Sequence, residues 1–431
     1  MSWGRTTGIG AQHVVAMFGA TFVFPVVMGL DPNLAILFSG ISTIIFLLIV
    51  KNAVPSYLGT SAAFVAGVAA IRGQGGDSAE VTGAIMVAGL ILLLVGVLVH
   101  FTGAGVLKKV LPPAVTGAVV MLIGFNLAPV VAGIYWPQDQ WVGLAVAIFM
   151  VVGTVLFPGF WGRISVFLGL VFGFLLSWVL DMTVGGLSKV AEDGTEQVVD
   201  RVGFAGIGDA AWFGLPSAEL ADGVSAIHAP SFSLTFVLLV IPGVIALIAE
   251  NVGHVRAVAE MTGEDLDPYM GRALGADGFA TAIASAFGGA PTTTYAENIG
   301  VMSATRIYST AAYYIAAIFA IILGLCPKFG VIINAIPGGV LGGVTLVLYG
   351  MIGLIGAKIW VDNRVDFAKP GNMVPLAAGL VAGIGGVTLK VTDTFELGGI
   401  AFGTLLVVVL YHLVNGRETK ANTAEEDSTF V

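Results

Sequence analysis

The chain has 431 residues, of which 57% are hydrophobic and only 10% are charged. A mean hydropathy of +0.96 leaves too little polar surface to cover a water-soluble globule, which usually has about 25% charged residues. This composition excludes a cytosolic enzyme. The net charge of −9 offers no basic surface for nucleic acid, and the single cysteine, Cys326, cannot form an internal disulfide. Many apolar runs and 60 glycines favour a polytopic transporter or channel.

Fourteen apolar runs are predicted to cross a membrane, a crossing that takes about 20 residues in a helix. They indicate an all-α polytopic membrane protein in which one long acidic loop, 181–232, separates seven spans from seven. The polar segment 417–431 is predicted to be a disordered tail. The predicted spans are residues 8–30, 33–51, 55–72, 79–103, 113–136, 139–157, 163–180, 233–258, 271–290, 291–306, 308–326, 331–357, 372–390 and 395–416.

The distribution of lysine and arginine predicts the orientation. If both termini are cytoplasmic, 13 of the 18 basic residues fall on the cytoplasmic side and five on the outer side. Cytoplasmic loops are enriched in these residues. We therefore expect a multi-pass protein of the inner (cell) membrane, embedded in lipid, with both termini in the cytoplasm.

The third and tenth spans begin unlike helices. The third opens with Pro55-Ser-Tyr-Leu-Gly-Thr-Ser61, and the tenth with Pro291-Thr-Thr-Thr-Tyr-Ala-Glu297. Each is third in its set of seven, and because seven is odd, similar sets would be inverted repeats. Such a pair of interrupted spans indicates the binding site of a transporter, with extended segments followed by half-helices whose free N–H groups face the substrate. The alternative is a pair of helices kinked at proline.

Ionisable residues within the predicted spans are the candidate functional groups, because buried charge is costly in hydrocarbon. Glu250 and His254 are four residues apart and share a helix face. Glu297 lies where the tenth span turns helical, Asp277 lies in the ninth span, and His13 lies in the first.

Each of these residues also has a plainer interpretation. Glu250 and His254 could form a surface pair, and Glu297 could cap its half-helix. Asp277 could be a structural hydrogen-bonding group, and His13 could be interfacial. Their coincidence with the interrupted spans favours a functional role.

The chemistry of two carboxylates beside free backbone N–H groups indicates a class of ligand. Carboxylates accept hydrogen bonds from N–H groups, and backbone N–H donates to carbonyl oxygens. Together they complement the edge of a pyrimidine or purine base, whereas fixed negative charge repels an inorganic anion. A buried carboxylate can also carry a proton; Glu250 suits this role better than Glu297, because the half-helix dipole favours a charged Glu297.

From Gln12-His-Val-Val-Ala-Met-Phe-Gly-Ala-Thr21 to about Gly416, the sequence resembles the nucleobase–ascorbate transporter family, especially its bacterial uracil permeases. The most specific match is Glu297-Asn-Ile-Gly-Val-Met-Ser-Ala-Thr-Arg306. The motifs Glu250-x-x-x-His254 and Leu348-Tyr-Gly350 add to it.

The resemblance implies two domains and a proton-driven mechanism without a cofactor. The core domain would comprise residues 1–103 and 233–326, and the gate domain residues 104–232 and 327–416. The chain would import a nucleobase, most readily uracil, together with protons, by alternating access of core against gate. Relatives commonly form homodimers through the gate, and a nucleic-acid partner or a metal site is not expected.

The resemblance also implies roles for individual residues. Two carboxylates, the backbone N–H groups of two alanines and two tyrosines would bind the substrate. A histidine and two carboxylates would couple proton movement to transport, and two further residues would support the site. The substrate residues are Glu250, Glu297, Ala62, Ala296, Tyr295 and Tyr349; the coupling residues are His254, Glu250 and Asp277; the supporting residues are His13 and Asn298.

Two positions depart from the uracil permeases, which usually have phenylalanine where Ala62 stands and glycine where Ala296 stands. The lost ring leaves room, so xanthine or another purine base stays an alternative substrate. An anion transporter of related architecture is a further alternative, against which Glu297 argues. A membrane-embedded enzyme is not expected, because five scattered histidines and one cysteine provide no catalytic constellation.

Overall fold

The structure is a computed structural model that describes residues 3–190, 196–390 and 396–428. The chain is mostly helical. In chain order the helices are α1 (Trp3–Met28), α2 (Pro32–Ile49), α3 (Val65–Gly73), α4 (Ser78–Thr102), α5 (Gly105–Val110), α6 (Pro113–Phe125), α7 (Ala128–Val130), α8 (Gln140–Leu156), α9 (Phe160–Arg163), α10 (Ser165–Thr183), α11 (Leu234–Thr262), α12 (Met270–Ala286), α13 (Ala296–Thr305), α14 (Thr310–Gly324), α15 (Pro327–Asn334), α16 (Gly338–Asp362), α17 (Pro370–Ile384) and α18 (Gly399–Ser428).

Short strands form three two-stranded antiparallel pairs among the described residues. The first pair joins segments more than 200 residues apart, and the other two are local hairpins. The strands are β1 (Leu58–Thr60), β2 (Leu187–Val190), β3 (Glu196–Val199), β4 (Thr292–Thr294), β5 (Thr388–Lys390) and β6 (Glu396–Gly398), paired β1–β4, β2–β3 and β5–β6.

Seven helical segments in the described ranges are long and apolar enough to cross a membrane alone: α1, α2, α4, α6 with the turns that follow it, α10, α11 and α16. The pair α14–α15 also qualifies if its 80° bend is accepted within one span. The helices α3, α8, α17 and the first part of α18 are shorter and apolar. Each predicted span overlaps at least one helix, but the total of fourteen crossings stays a prediction.

Two boundaries differ from the predicted ones. The twelfth span, predicted over 331–357, is broken between α15 and α16. Pro337 lies just before the first residue of α16. Proline has no backbone N–H to donate, so a helix cannot run through this position without losing a hydrogen bond. The last helix extends to Ser428, beyond the predicted end of the last span at 416. Residues 429–431 lie outside the described ranges, and the disordered tail predicted over 417–431 stays a prediction. That segment contains Ala, Glu, Lys and Arg, which are good helix formers.

Three helices that start at the same end of the molecule are capped by aspartates. Asp31 accepts from Leu34 N at 2.7 Å before α2, and Asp77 forms a capping box with Glu80 before α4. Asp139 caps α8 in the same way. A carboxylate at a helix N-terminus satisfies free N–H groups and complements the helix dipole.

Helices α4 and α12 approach each other through glycine. A Cβ atom at Gly96 would overlap the backbone of Gly275, and one at Gly278 would overlap the backbone of Leu93. Small residues at such crossings let two backbones pack closely. This contact places α12, and with it Asp277, in the interior.

The long loop predicted over 181–232 is anchored at its start to α8 and α10. Arg201 donates to Asp139 at 2.8 Å, to Asp181 at 3.1 Å and to the carbonyl of Gly185. The backbone N–H of Val202 also donates to Asp181. Within the loop, residues 191–195 lie outside the described ranges.

The end of the same loop is anchored to α3 and α4 instead. Asp222 accepts from Arg72 at 2.6 Å and from both the backbone N–H and the hydroxyl of Ser78. The ring of His228 lies 3.0 Å from the hydroxyl of Thr82. The loop therefore covers the capped end of the molecule and touches two groups of helices.

The carboxylate of Asp222 accepts the hydrogen bonds that attach the end of the loop to α3 and α4. Burial opposes its charged form, but hydrogen bonds from Ser78 and Arg72 outweigh burial, so the pKa of Asp222 lies below its usual range. A carboxyl whose pKa is lowered by folding stabilises the folded state above its unfolded pKa of about 3.9. That stabilisation is lost only as the pH falls through the lower, folded value.

We expect Asp222→Asn to release the end of the loop. The loss of charge-assisted hydrogen bonds costs about 1.5 kcal/mol, or about tenfold in the open population. The open population is measured by hydrogen–deuterium exchange of peptides covering 216–231. In the wild type, the protection of these peptides should be the same at pH 7 and at pH 5. Asp209→Asn, at an exposed aspartate of the same loop, is the control. Equal protection in both variants would contradict the anchoring role.

Candidate functional site

The strand pair β1–β4 forms the centre of the candidate site. Leu58 pairs with Thr294, Gly59 with Thr293 and Thr60 with Thr292. Beyond the strands, Ser61 N donates to the carbonyl of Pro291 at 2.8 Å, and Tyr295 N donates to that of Tyr57 at 3.0 Å. The two extended segments thus satisfy each other's backbone groups, as irregular backbone inside a membrane requires. The predicted interruptions of the third and tenth spans are confirmed.

Two half-helices leave this strand pair in opposite directions. A 3-10 turn from Ala62 leads into α3, which ends near Arg72 at the loop-covered end. Helix α13 starts at Ala296 and packs against α9 at the other end. The first N–H groups of a helix lack partners within it and carry partial positive charge. Two such positive ends therefore meet in the middle of the molecule.

Cysteines at Leu58 and Thr294 should form a disulfide, because side chains directly opposite in such an antiparallel pair have Cβ atoms about 4.5–5.5 Å apart. The double variant is made in a Cys326→Ser background, oxidised with copper phenanthroline and cleaved between the cysteines to reveal the crosslink. Leu58→Cys paired with Ser303→Cys, an exposed position on α13, is the control. Absence of the crosslink in folded protein would contradict the pairing.

A cavity of about 460 Å³ lies against the strand pair. Apolar side chains of α1, α6, α11 and α16 form most of its walls, and its polar groups come from β1, β4, α11, α13 and the end of α16. The residues that line it are Ala20, Phe24, Thr60, Ala62, Ala63, Val120, Ile123, Ala246, Ala249, Glu250, Gly253, His254, Thr293, Tyr295, Ala296, Glu297, Leu348, Met351, Ile352, Ile355, Lys358, Ile359 and Asp362.

The cavity brings together most of the residues predicted to bind substrate. Glu250, Glu297 and His254 are half-buried and line it, as do Ala62 and Ala296 at the starts of the two half-helices. Two acceptor carboxylates therefore face the same space as free backbone donors. This arrangement can bind a small molecule that carries both N–H donors and carbonyl acceptors.

The mouth of the cavity lies at the end opposite the long loop. Helix α16 starts beside Asp139, because a Cβ atom at Gly339 would touch that residue. The helix ends at Asp362, where Lys358 and Asp362 form an exposed ion pair of 2.7 Å on the cavity rim. The cavity therefore opens away from the loop-covered face.

Asp277 lies behind β4 and does not line the cavity. Its fully buried carboxylate accepts from Asn251 Nδ2 at 2.7 Å and from the hydroxyl of Thr292 at 3.3 Å. Asn251 Oδ1 lies 3.4 Å from the hydroxyl of Thr294, which in turn lies 2.8 Å from His254 Nδ1. A buried polar chain thus links Asp277 to the cavity histidine.

The predicted supporting residues contact each other away from the cavity. Asn298 Nδ2 lies 3.1 Å from His13 Nδ1 and donates to the His13 carbonyl at 2.9 Å. The ring of His13 is fully buried and lies 4.3 Å from that of Tyr313. This pair joins α1 to α13 and so holds the half-helix that carries Glu297.

The two predicted tyrosines have different positions. Tyr295 lines the cavity, and its hydroxyl donates to the carbonyl of Thr60 at 2.9 Å. Tyr349 is not among the residues that line it, and its predicted role in substrate binding stays a prediction. Successive residues of a helix point about 100° apart, so Leu348 faces the cavity and Tyr349 turns to the interior beside Tyr135.

Sequence reasoning missed several residues of the site. Asn251 and Thr294 were not singled out, although a polar residue next to Glu250 inside an apolar span was a usable signal. Phe24 gives the cavity an aromatic wall, and nothing in its sequence context distinguished it from other core phenylalanines. In the described ranges, no group of three or more histidine, cysteine or acidic residues is arranged to hold a metal ion.

Comparison with known sequences places the chain. The sequence family Xan_ur_permease, described as a permease family, matches residues 4–392. The chain belongs to this permease family. It is therefore a multi-pass membrane transporter and not an enzyme, as the sequence predicted.

Individual relatives of this permease agree with the family. The chain is 41% identical over 422 residues to the protein named "Putative pyrimidine permease RutG" of Escherichia coli (strain K12), covering 96% of this chain and 90% of that protein. It is 35% identical over 437 residues to the uracil permease of Bacillus caldolyticus, covering 99% and 95%.

A solved structure shares the fold of the permease. The transmembrane domain of the cyanobacterium bicarbonate transporter BicA superposes with a TM-score of 0.59 at 14% identity, covering 94% of this chain and 96% of that one. At this level of identity the likeness concerns the fold alone.

Proposed function

We propose that this permease imports a nucleobase, uracil first among them, together with protons across the inner membrane. One observation carries the proposal: Glu250 and Glu297 face the same cavity as the starts of two half-helices. The names of the relatives, pyrimidine permease and uracil permease, support the substrate class.

The edge of uracil matches these groups. Its ring N–H groups donate to the carboxylates, and its carbonyl oxygens accept from the backbone N–H groups at Ala62 and Ala296. The apolar walls, with Phe24 among them, suit the faces of a planar ring. A volume of about 460 Å³ falls in the usual range for small-molecule sites, about 300–1,000 Å³.

Two groups of helices would move against each other. The core comprises residues 1–103 and 233–326 and carries both half-helices, and the gate comprises 104–232 and 327–416 and contributes the apolar wall of α16. We infer fourteen spans in two inverted repeats, because β1–α3 and β4–α13 occupy corresponding places and run in opposite directions. Homodimerisation through the gate stays a prediction.

With both termini in the cytoplasm, the mouth beside Lys358 and Asp362 faces the cytoplasm. The loop-covered face, with Asp222 bound to Arg72, then faces outward. This arrangement corresponds to an inward-open state of alternating access. A proton is carried by Glu250, with His254 and Asp277 as its coupling partners.

A larger base is the second candidate substrate. Ala62 has only a methyl side chain where the uracil permeases usually have a phenylalanine ring, so xanthine or another purine has room. An anion substrate is disfavoured by the two carboxylates, which repel negative charge in a site of low dielectric.

The test is uptake of radiolabelled uracil by cells lacking their own permeases, with and without a proton uncoupler. We expect accumulation that the uncoupler abolishes, and competition by unlabelled uracil. Xanthine, thymine and bicarbonate are the other competitors. Uptake that bicarbonate inhibits and bases do not would overturn the proposal.

A further inference from the structure

We propose that Asn251 and Thr294 are positioning residues that hold His254 with its proton on Nδ1 and leave Nε2 as a proton acceptor on the cavity side. The inference rests on proton coupling in the proposed function, and it names residues that act through the histidine. Its support is the order of donors and acceptors in the buried chain behind β4.

The first link fixes the orientation of the Asn251 amide. Its Nδ2 lies 3.0 Å from the backbone carbonyl of Leu247 and 2.7 Å from Asp277 Oδ2. A backbone carbonyl can only accept a hydrogen bond, so the atom that faces Leu247 is the NH₂ group. The amide oxygen of Asn251 must therefore point the other way, toward Thr294.

The second link fixes the proton of the Thr294 hydroxyl. Its oxygen lies 3.4 Å from Asn251 Oδ1, the longest contact of the chain, and 2.8 Å from His254 Nδ1. A hydroxyl has one proton to donate. Across the described residues, Asn251 Oδ1 has no other donor, and leaving a buried amide oxygen unpaired costs free energy. The Thr294 proton therefore goes to Asn251, and its oxygen accepts.

The third link fixes the tautomer of the histidine. Because the Thr294 oxygen accepts, His254 Nδ1 must carry a hydrogen. The hydrogen bond of one ring nitrogen decides the state of the other. Nε2 then has a free lone pair. Among the described residues, the side-chain hydrogen bond of the ring is made by Nδ1 to Thr294, and the ring lines the cavity.

This chain of hydrogen bonds orients the His254 ring. It does not conduct protons, since the Asn251 amide does not pass a proton along. All its donors point toward the Asp277 carboxylate, so the Nδ1–H of the ring is held on the chain side and Nε2 is left on the cavity side. The groups that face His254 on the cavity side are Glu250, one turn earlier on α11, and Glu297 on α13. Lys358 and Asp362 lie at the rim.

The direct test is ¹⁵N solid-state NMR of histidine-labelled protein in lipid bilayers. The signals of His254 are assigned by their absence in His254→Asn. We expect a protonated Nδ1 and a bare Nε2 in the wild type. A protonated Nε2 with a bare Nδ1 would overturn the inference, and this measurement needs neither transport nor a disruptive variant.

The second test removes the Thr294 hydroxyl while keeping its shape. In Thr294→Val we expect the fixed tautomer to be lost and pH-driven accumulation of uracil in proteoliposomes to fall about tenfold, as for residues that orient a histidine ligand. Exchange of internal for external uracil should be kept. Thr294→Ser retains the hydroxyl and should restore both the tautomer and accumulation.

A Thr294→Val protein that keeps protonated Nδ1 and full accumulation would contradict the inference. Failure of the proposed function is separate: wild-type protein that carries no nucleobase at all would refute that function. The tautomer spectra would still decide whether Asn251 and Thr294 orient His254.

Discussion

Glu297→Gln should nearly abolish base binding. Glu297 is the second residue of α13 and lines the cavity beside the free N–H groups of the half-helix. In the proposed function its carboxylate accepts N–H groups of the base, whereas an amide offers one acceptor and an unwanted donor. The lost charge-assisted bond and the stranded donor cost about 2–4 kcal/mol, or roughly 30-fold or more in affinity.

Calorimetric titration of purified protein with uracil measures this effect. Glu260→Gln, at an exposed glutamate near the end of α11, is the matched control and should bind as the wild type does. Size-exclusion behaviour and thermal stability establish that both variants are folded. Unchanged affinity in folded Glu297→Gln would remove Glu297 from the binding site.

His254→Ala should separate coupling from binding. We expect the variant to bind uracil almost as the wild type does, but to lose most pH-driven accumulation, because binding of proton and of base must favour each other reciprocally. Exchange needs no net proton movement and should suffer less. Glu250→Gln should damage accumulation and exchange alike, because in the proposed function the same carboxylate contacts the base and carries the proton.

Two proteoliposome assays test this prediction, one with an imposed pH gradient and one with uracil preloaded inside. His100→Ala, at an exposed histidine of α4, is the control. If His254→Ala accumulates uracil against its gradient as the wild type does, the histidine is structural. Asp277, at the far end of the buried chain, would then be the next candidate for coupling.

The centre of the site could be predicted because its signals are local. Proline and hydroxyl residues interrupt two apolar runs, and carboxylates such as Glu250 stand out in an apolar context. Both strands and both half-helices follow from these features. The free N–H groups at Ala62 and Ala296 follow in turn, since any helix start exposes them.

The surroundings of the site could not be predicted because they depend on tertiary packing. Thr294 joins Asn251 to His254 only because β4 packs against α11, and no short-range pattern in the sequence encodes that contact. The rotation of α16, which turns Tyr349 away from the cavity, is set by neighbouring helices. Its even hydrophobicity around the axis gave no preferred face.

The attachments of the long loop allow movement between two groups of helices to be measured from outside the cavity. Its β2–β3 hairpin is fastened by Arg201 to α8 and α10, whereas its far end is fastened by Asp222 to α3 and α4. Val198 and Ala221 are both exposed. A fluorescent dye at Val198 would report the position of α8 and α10, and a dye at Ala221 would report that of α3 and α4. In the proposed alternating-access cycle, energy transfer between the dyes would measure how far the two groups of helices move relative to each other. No probe would be placed in the cavity.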